Sequence, residues 1–266
     1  MSEAVRTERR GKVLEVTLDR PPVNAIDDAT SMELYRAFRT LQDDDGLMVG
    51  IITGAGERCF SAGWDLKAVA AAERLDEIDG VGSPGGFAGL TEFWDLHKPV
   101  IAAINGAAIG GGFELALSTD ILLVADHAEF WLPEMQRGFL ASAGAIQRLP
   151  RRIPYNVAMD LFLTGRHMDA QEARHWGLVS EVVPGTDLMT RARELADTLS
   201  ESAPLALQGL KAIMPVVMPL SLEDAMQRTK IGNSGVEVYE SMMLSEDAIE
   251  GPRAFAEKRK PQWKGR

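Results

Sequence analysis

A run of glycines, Gly110 to Gly112, joins an apolar segment to a helical one, and no other feature of the chain constrains its fold as strongly. Residues 99–104 are apolar and are bounded by proline and by Asn-Gly, which is typical of a strand buried on both faces. A helical run begins close behind the glycines, at Glu114. Because glycine has no side chain, backbone N–H groups at the helix start can approach a molecule from outside the protein. The junction is therefore suited to an anion or a developing oxyanion.

Glu114 lies in the first turn of the predicted helix, and its position permits two interpretations. The helix dipole favours a carboxylate there, which would be a purely structural role. The same carboxylate also lies beside the amides of the junction, where an acid or base could act on a bound molecule. The residue alone does not decide between these roles.

A second segment, FSAGWDL at residues 60–66, repeats the pattern of the junction. Residues 63–66 correspond to residues 112–115, and each segment follows an apolar, strand-like run, at 49–53 and at 99–104. Two such units predict a stacked repeat of one supersecondary unit. If the units stack, both helix starts face one pocket.

Several motifs together make the chain resemble the crotonase superfamily of enoyl-CoA hydratases and isomerases, and within it the carnitinyl-CoA dehydratase (crotonobetainyl-CoA hydratase) branch. The resemblance extends from Leu18 to Arg266. The segments that carry it are LDRPPVNAID, FSAGWDLKA, GGFAGLTE, GGGFELAL, LPE and SEDAIEGPRAFAEKR.

The resemblance implies an α/β fold, the crotonase (ClpP/crotonase-like) spiral of ββα repeats with a C-terminal helical trimerisation region. The spiral core, with the CoA and acyl pocket, would occupy residues 1–200. The helical oligomerisation region would occupy residues 201–266. The family uses that region to form homotrimers, often paired into hexamers, so a homotrimer or a dimer of trimers is expected.

The resemblance also implies a catalytic pair. Glu134 follows Pro133 directly, and by spacing alone it would be an ordinary charge at a helix N-terminus. The match of residues 131–134, WLPE, to the second catalytic glutamate of the family implies instead that Glu134 acts together with Glu114. As water adds to C3 of an enoyl-CoA thioester, one glutamate would accept a proton and the other would supply one to C2. Their pKa values must therefore differ, and the sequence does not say which glutamate is the acid.

By the same resemblance, an oxyanion hole is formed by the backbone N–H groups of Trp64 and Gly111. They would hold the thioester oxygen as negative charge collects on it. Each donor of this kind contributes on the order of 3 kcal/mol to the stability of the transition state. Because the donors are backbone groups, a tryptophan can occupy the first position.

Further contacts with CoA and substrate are implied for both ends of the chain. The residues are Asn24, Ala25, Ile26, Ala62, Asp65, Leu66, Lys67, Phe255 and Lys258. Lys258 belongs to the basic cluster EKRK at residues 257–260, which is a solvated helix end if it binds nothing. By resemblance, Lys258 reaches a CoA phosphate, either in its own subunit or across a subunit boundary, and Phe255 lines the acyl or pantetheine path.

The carnitinyl branch would bind a quaternary ammonium group, and such cations are held over aromatic faces. Aromatic residues near the motifs are candidates for a cage, with packing in the core as the alternative. They are Trp64, Phe87, Phe93, Trp94, Phe113 and Trp131.

Two parts of the chain depart from the family pattern or add to it. Ala141 stands where a proline is usual and Ala145 where a glycine is usual, and Trp131 is bulkier than the residue expected before LPE. These changes predict a reshaped acyl end of the pocket. Residues 73–89, rich in glycine and charge, are interpreted as a lid over that pocket or as an insert without a role.

Charge and composition narrow the class of function. The 266-residue chain has 28 basic and 39 acidic residues and a net charge of −11, which disfavours non-specific binding to nucleic acid or to an anionic membrane. The single cysteine, Cys59, cannot form an internal disulfide, and with no long apolar segment or signal-peptide core a cytoplasmic protein is expected. The four histidines lack metal-site spacing, so neither a metal nor a cofactor is expected beyond the CoA of the substrate.

The C-terminal part of the chain is predicted to be mainly helical. Helices are expected at residues 156–164, 170–177, 187–202, 205–217, 222–239 and 245–260, with a last strand at 179–183. Ser245 is expected to cap the last helix, and Gly177 to end an earlier one. The methionines of this region would serve an internal core or a subunit interface.

These features together predict a lyase that adds water across the C2–C3 double bond of an enoyl-CoA thioester. Crotonobetainyl-CoA and carnitinyl-CoA are the substrate pair that the branch implies. The alternatives are another crotonase reaction, such as double-bond isomerisation or thioester hydrolysis, and a catalytically silent CoA-binding protein. Two carboxylates favour hydration over isomerisation, for which one carboxylate can suffice.

Overall fold

Repeated pairs of strands, with one strand in each of two sheets, organise the protein. The computed structural model describes residues 4–66 and 83–266. The larger sheet contains, in spatial order, β1 (Val5–Arg10), β2 (Val13–Leu18), β4 (Val49–Gly54), β7 (Val100–Ile104), β9 (Ile121–Ala125) and β12 (Glu181–Val183). The second sheet contains β11 (Met168–Asp169), β10 (Glu129–Trp131), β8 (Ala107–Ile109) and β5 (Cys59–Ser61). A short pair is formed by β3 (Ala25–Ile26) and β6 (Gly63–Trp64).

The order of the strands shows the spiral that the motifs predict. The chain passes from the larger sheet to the second sheet three times, from β4 to β5, from β7 to β8 and from β9 to β10. Strands β4, β7 and β9 pair in parallel, with Ile101 opposite both Ile51 and Ile121. Strands β5, β8 and β10 also pair in parallel. Each unit therefore lies beside the preceding one, and the predicted crotonase-type fold is confirmed.

Helices cover the sheets and fill the C-terminal region. They are α1 (Asp28–Asp43), α2 (Gly111–Leu117), α3 (Ala145–Arg148), α4 (Tyr155–Thr164), α5 (Ala170–His175), α6 (Leu188–Ser200), α7 (Pro204–Val217), α8 (Leu222–Arg228), α9 (Glu237–Met243) and α10 (Glu246–Ala256). Short 3-10 turns lie at Phe87–Gly89, Glu134–Arg137, Leu149–Arg151 and Gly185–Asp187.

The core forms where apolar strands are covered by helices on both faces. All residues of β4 and β7 are buried. Helix α1 packs against β1 to β4 through a stripe that includes Leu34, Phe38 and Leu41, and α6 packs against β2, β4, β7 and β9. Full burial of one such side chain contributes about 1.5–3 kcal/mol. Parallel strands covered in this way have continuous apolar sequences, which is why residues 99–104 predicted a strand correctly.

Several details of the C-terminal helices can be compared with the sequence predictions. The side chain of Ser245 accepts the N–H of Ala248 at 3.1 Å and caps α10, as predicted. Gly177 has φ +76° just beyond α5, which confirms it as a helix stop. The single helix expected at 222–239 is wrong, because the chain leaves the helix after α8 and forms a turn with Gly232 and Gly235 at positive φ. Glu240 holds this turn by accepting the N–H of Gly232 at 2.7 Å.

Two general features of the described chain bear on function. None of its helices has the length and apolar character needed to cross a membrane. Within residues 4–66 and 83–266, no group of His, Cys, Asp and Glu side chains is arranged to hold a metal ion. The division of the chain at residue 200 stays a prediction.

Candidate active site

The glycine junction brings two parts of the chain into close backbone contact. Gly110, with φ +51°, precedes α2. A Cβ on Gly112 would overlap with the carbonyl of Ser61, and a Cβ on Gly63 would lie 2.5 Å from the nitrogen of Gly111. Side chains at these positions would therefore push β5 and β6 away from α2. The glycines allow the two repeated segments to meet, as their sequences predict.

The two residues predicted to form the oxyanion hole lie at this contact. Gly111 is the first residue of α2, where an N–H has no acceptor within the helix. Asp65 donates its N–H to the carbonyl of Ile26 at 2.9 Å. Because successive N–H groups of a strand point to opposite sides, the N–H of Trp64 points away from β3. The Trp64 ring lies against Gly111, since a Cβ there would be 2.8 Å from its Cδ1. Trp64 and Gly111 are thus in contact.

Glu114 is a buried carboxyl group in the first turn of α2, with 2% of its surface exposed. Ala145 donates its backbone N–H to Oε1 at 3.0 Å, and Ala143 supplies a second backbone donor. Burial raises the pKa of Glu114 to about 7, against the effect of these amides, and the charge of Glu134 raises it further. Near neutral pH, Glu114 is therefore present both as a carboxylate and as an acid.

Glu134 begins the 3-10 turn Glu134–Arg137, and 6% of its surface is exposed. Its Oε1 occupies the space where a Cβ on Gly110 would lie, so the carboxyl group fits there only because residue 110 is glycine. Its Oε2 is buried without a hydrogen-bond partner among the residues that the structure describes. Burial raises the pKa of Glu134, while its own backbone N–H and the charge of Arg137 oppose the shift. An oxygen without a donor favours the protonated form.

The two glutamates thus lie at the same helix start in different surroundings. Glu114 is held by two amides that stabilise its carboxylate. Glu134 has a buried oxygen that no described donor reaches. Burial raises the pKa of both groups, so the difference between them lies in their hydrogen-bond donors, and unlike surroundings of this kind can separate a base from an acid in one reaction. The structure brings the predicted pair together and supplies the asymmetry that the sequence does not reveal.

The six aromatic residues predicted as a cage do not surround one space. Trp64 and Phe87 are stacked, with ring centroids 5.3 Å apart and planes 17° apart, and both rings lie against Gly111. The other four pack elsewhere: Phe93 on Tyr35, Trp94 near Arg148, Phe113 on Phe130, and Trp131 on His167. Phe113 is fully buried, so the alternative of core packing is correct for it.

A cavity of about 270 Å³ borders Glu134. Apart from that carboxyl group its walls are almost wholly apolar, and they include Leu132, Ala141 and Phe162. Because Ala141 forms part of the wall, the departure from proline at this position affects the space next to Glu134. Such a space can accept an apolar group but offers few polar partners.

The predicted CoA contacts at residues 24–26 and 62 lie around the pairing of β3 with β6. The Asn24 side chain is buried and donates to the carbonyls of Ala55 and Cys59 at 3.1 and 2.9 Å. These hydrogen bonds hold the loop together. Any contact of this loop with a ligand would therefore come from the backbone of Asn24 or from neighbouring residues. Ala25 pairs with Gly63 in the sheet. Ile26 is buried, and Ala62 donates its N–H to Val23. Contact of these residues with CoA stays a prediction.

The next predicted contacts follow the oxyanion residue. Asp65 forms an ion pair with Arg20 at 2.7 Å, and Arg20 also pairs with Asp27 at 2.8 Å. Leu66 is 42% exposed. Lys67 lies outside the described residues, as does the greater part of the predicted lid, residues 73–82.

Phe255 and Lys258 lie at the exposed end of α10, and neither forms part of the cavity wall at Glu134. The Phe255 side chain is 88% exposed. Contact of Phe255 and Lys258 with CoA or substrate, within one subunit or across a subunit boundary, stays a prediction.

The sequence analysis missed the backbone donors to Glu114. Ala145 was expected to reshape the pocket because a glycine is usual at this position. Its contact with Glu114 is made by the backbone N–H, which alanine and glycine both have. Nothing in the sequence indicates this contact, which joins residues 31 positions apart. Arg148, three residues further on, was also missed, although it carries a charge close to Glu114.

Comparisons with known proteins identify the family of the chain. Residues 8–266 match the family model described as Enoyl-CoA hydratase/isomerase. The chain is 53% identical over 267 residues to the carnitinyl-CoA dehydratase of Proteus mirabilis, with 100% of both chains covered. It is 52% identical over 266 residues to the carnitinyl-CoA dehydratase of Escherichia coli K12, again with 100% of both covered.

Solved structures give the same result. An enoyl-CoA hydratase from Mycobacterium tuberculosis H37Rv is 37% identical, with a TM-score of 0.88 and 100% of both chains covered. An enoyl-CoA hydratase from Bacillus anthracis is 32% identical, with a TM-score of 0.88 and 99% of this chain and 100% of that chain covered.

Proposed function

The chain belongs to the enoyl-CoA hydratase/isomerase family, and from this premise we propose that it interconverts crotonobetainyl-CoA and carnitinyl-CoA through Glu114 and Glu134. The protein is a lyase that acts on acyl-CoA thioesters as an enoyl-CoA hydratase or dehydratase. The observation that carries the proposed mechanism is the pair of buried glutamates in unlike surroundings at the start of α2. The reaction needs no cofactor beyond the CoA of the substrate.

The thioester oxygen would bind where Gly63 and Gly111 meet. The N–H groups of Trp64 and Gly111 would donate to it, and they would bind more strongly as the thioester becomes an enolate. The start of α2 adds a favourable partial positive charge. This position sets C2 and C3 of the acyl group near the two glutamates.

In the proposed hydration, the Glu114 carboxylate accepts a proton from water while the water oxygen bonds to C3. The electrons of the C2–C3 double bond move to the thioester, and the resulting enolate takes a proton at C2 from Glu134. The backbone donors at Glu114 support the first role, and the buried Oε2 of Glu134 without a donor supports the second. Dehydration follows the same steps in reverse. A proton must return from Glu114 to Glu134, through solvent, after each turnover.

The quaternary ammonium group of the substrate would pack on the Trp64 indole. One face of this ring stacks on Phe87, and the side chain is only partly buried. A cation over the face of a tryptophan gains about 0.5–2 kcal/mol. Trp64 would therefore have two functions, because its backbone binds the thioester oxygen and its side chain selects the charged acyl group.

Substitution of the Trp64 side chain tests this substrate assignment, since the backbone donor remains. Trp64→Leu is expected to lower kcat/KM for crotonobetainyl-CoA about three- to thirtyfold relative to crotonyl-CoA, which lacks the cation. Trp64→Phe keeps an aromatic face and should retain most of the preference. Equal losses with both substrates would contradict a cation site on this ring, and a wild-type preference for crotonyl-CoA would contradict the proposed substrate.

A homotrimer, or a dimer of trimers, is the proposed assembly. Helices α7 and α8 expose large apolar side chains, among them Met218, Leu222 and Met226, with 69%, 80% and 63% of their surfaces exposed. Burial of these side chains between subunits would be favourable. In such an assembly, Phe255 and Lys258 of one subunit would contribute to the CoA site of another.

A further inference from the structure

Arg148 connects the surroundings of Glu114 to a separate segment of the chain. It is the last residue of α3, and its Nη2 donates to the carbonyl of Thr91 at 2.5 Å. Its Nη1 occupies the space where a Cβ on Gly144 would lie, so the guanidinium rests directly on that residue. The charge lies 5.9 Å from the ring centroid of Trp94. Arg148 therefore links α3 and Gly144 to the segment around residues 91–94.

Gly144, which lies against the guanidinium of Arg148, separates the two residues whose backbone N–H groups donate to Glu114. Ala143 and Ala145 flank Gly144, and both direct N–H groups at the Glu114 carboxylate. Gly144 has φ +131°, a conformation that side chains disfavour, and Arg148 donates its own N–H to the Gly144 carbonyl at 2.9 Å. The turn that aims both donors is thus held by one arginine.

The charges around this turn are few. Glu114 faces Glu134 on the 3-10 turn and Arg148 on α3. Arg148 in turn faces Glu114, Glu92 and the like charge of Arg151. Arg148 acts to lower the pKa of Glu114, and Glu134 acts to raise it.

Among the residues that the structure describes, no carboxylate accepts a hydrogen bond from Arg148. Burial lowers the pKa of its guanidinium, although the group stays charged. The acceptor of its Nη2 is the neutral carbonyl of Thr91. The charges of Glu114 and Glu92 partly compensate for the burial of the guanidinium, which links Arg148 electrostatically to the glutamate that the turn binds.

We infer that Arg148 is a positioning residue for the hydration reaction: it holds the Gly144 turn so that the amides of Ala143 and Ala145 bind the carboxylate of Glu114. The inference rests on the proposed role of Glu114 as the base. Arg148 itself does not touch the substrate. It acts through the protonation state and the orientation of Glu114.

The test is the pH dependence of kcat/KM for hydration of crotonobetainyl-CoA by Arg148→Gln. Loss of the arginine should move the limb of the profile that belongs to Glu114 to higher pH. At a pH well below both limbs, the variant should be about three- to tenfold slower than the wild type once the plateau rates of the two proteins are matched. Arg148→Lys keeps the charge and should return the limb most of the way to the wild-type position.

Arg151→Gln is the matched control, because it removes a positive charge from an exposed position three residues along the same segment. Its limb should stay at the wild-type pH. A limb in Arg148→Gln that does not move, or that moves equally in Arg151→Gln, would overturn the inference.

A second variant covers the case in which Arg148→Gln does not fold, which circular dichroism would show. Gly144→Ala keeps the arginine and its charge but displaces the guanidinium from the turn. It should also move the limb to higher pH, and an unmoved limb in folded protein would overturn the inference. The proposed function is tested separately, with Glu114→Gln. If this variant kept the pH profile of the wild type, Glu114 would not be the base.

Discussion

In the proposed mechanism, the different surroundings of Glu114 and Glu134 divide the roles of base and acid between these chemically identical side chains. Both are buried, and in both cases burial raises the pKa of the carboxyl group. What separates them is the number of donors, because amides reach Glu114 while Oε2 of Glu134 has no partner among the described residues. An acid–base pair needs such a separation, since two equal carboxylates would titrate together.

Burial of Glu114 makes the stability of the fold depend on pH. Its pKa is raised from 4.5 to about 7, so between these values the folded state binds a proton more tightly than the unfolded chain does. Stability from this residue is therefore present below about pH 4.5 and is lost as the pH rises towards about 7. Glutamine does not ionise, so Glu114→Gln should not lose stability in this way as the pH rises. Relative to the wild type, its free energy of unfolding should be about 2 kcal/mol larger at pH 8 than at pH 5.

Urea unfolding of the wild type and of Glu114→Gln at both pH values measures this difference. Glu57→Gln, at an exposed position, is the control and should show much less change. If Glu114→Gln were no more stable relative to the wild type at pH 8 than at pH 5, the result would contradict a destabilising carboxylate at this site.

At this scale the sequence predicted a pair of candidate residues but not how the roles of base and acid are divided between them. Glu114 and Glu134 carry recognisable motifs, and the structure places them together at the start of α2. The donors to Glu114 are backbone groups of Ala143 and Ala145, and backbone groups have no signature in a sequence. Their contact with Glu114 depends on the packing of α3 against α2, which only the folded chain defines.

The glycine junction is the element on which the site depends. It lets β6 approach the start of α2, and it leaves room for the carboxyl group of Glu134 beside Gly110. An element of this kind is sensitive to a single methyl group, because the neighbours are backbone atoms and a buried acid that cannot move away freely.

Gly110→Ala is expected to lower kcat about a hundredfold or more, because the added Cβ displaces the carboxyl group of Glu134 from its position. Gly138→Ala is the matched control: Gly138 also has positive φ, at +83° against +51° for Gly110, but a Cβ there meets nothing within 4 Å. Steady-state kinetics should show a small effect for the control. Similar kcat values for the two variants would mean that backbone strain, and not the displaced acid, determines the loss.

Most elements could be predicted because their sequences show a clear period, and the errors have local causes. Strand β1 was missed because it is an edge strand whose residues after Val5 are polar and exposed. Strand β8 has only three residues, Ala107–Ile109, which is too short to show a pattern. The prediction of one helix at 222–239 overlooked Gly232 and Gly235. Both have positive φ values, and the N–H groups of Gly232 and Ser234 donate to Glu240, so the helix is broken there.

At the scale of the whole molecule, several large apolar side chains are exposed at the C-terminal helices. Met218, Leu222 and Met226 are each more than 60% exposed, and Phe255 is 88% exposed. The proposed trimer would bury this surface and would bring Phe255 and Lys258 to a neighbouring site. Assembly and activity are then coupled, because part of the CoA site comes from another subunit.

A charge within this surface should dissociate the assembly. Leu222→Glu combined with Met226→Glu is expected to convert the trimer to monomers and to raise KM for acyl-CoA, because carboxylates would have to be buried at the interface. Sedimentation velocity measures the state of assembly. Lys230→Glu, an exposed charge change in the same region, is the control and should stay trimeric. A wild-type protein that sediments as a monomer at micromolar concentration would contradict the assembly.

The central claim is that Glu114 and Glu134 together hydrate an enoyl-CoA thioester. The most direct measurement follows the loss of enoyl-thioester ultraviolet absorbance after crotonobetainyl-CoA is mixed with the wild type, Glu114→Gln or Glu134→Gln. The wild type should hydrate the substrate, and each variant should be slower by about a hundredfold or more while it still binds CoA. Rates near that of the wild type in both variants would contradict the mechanism.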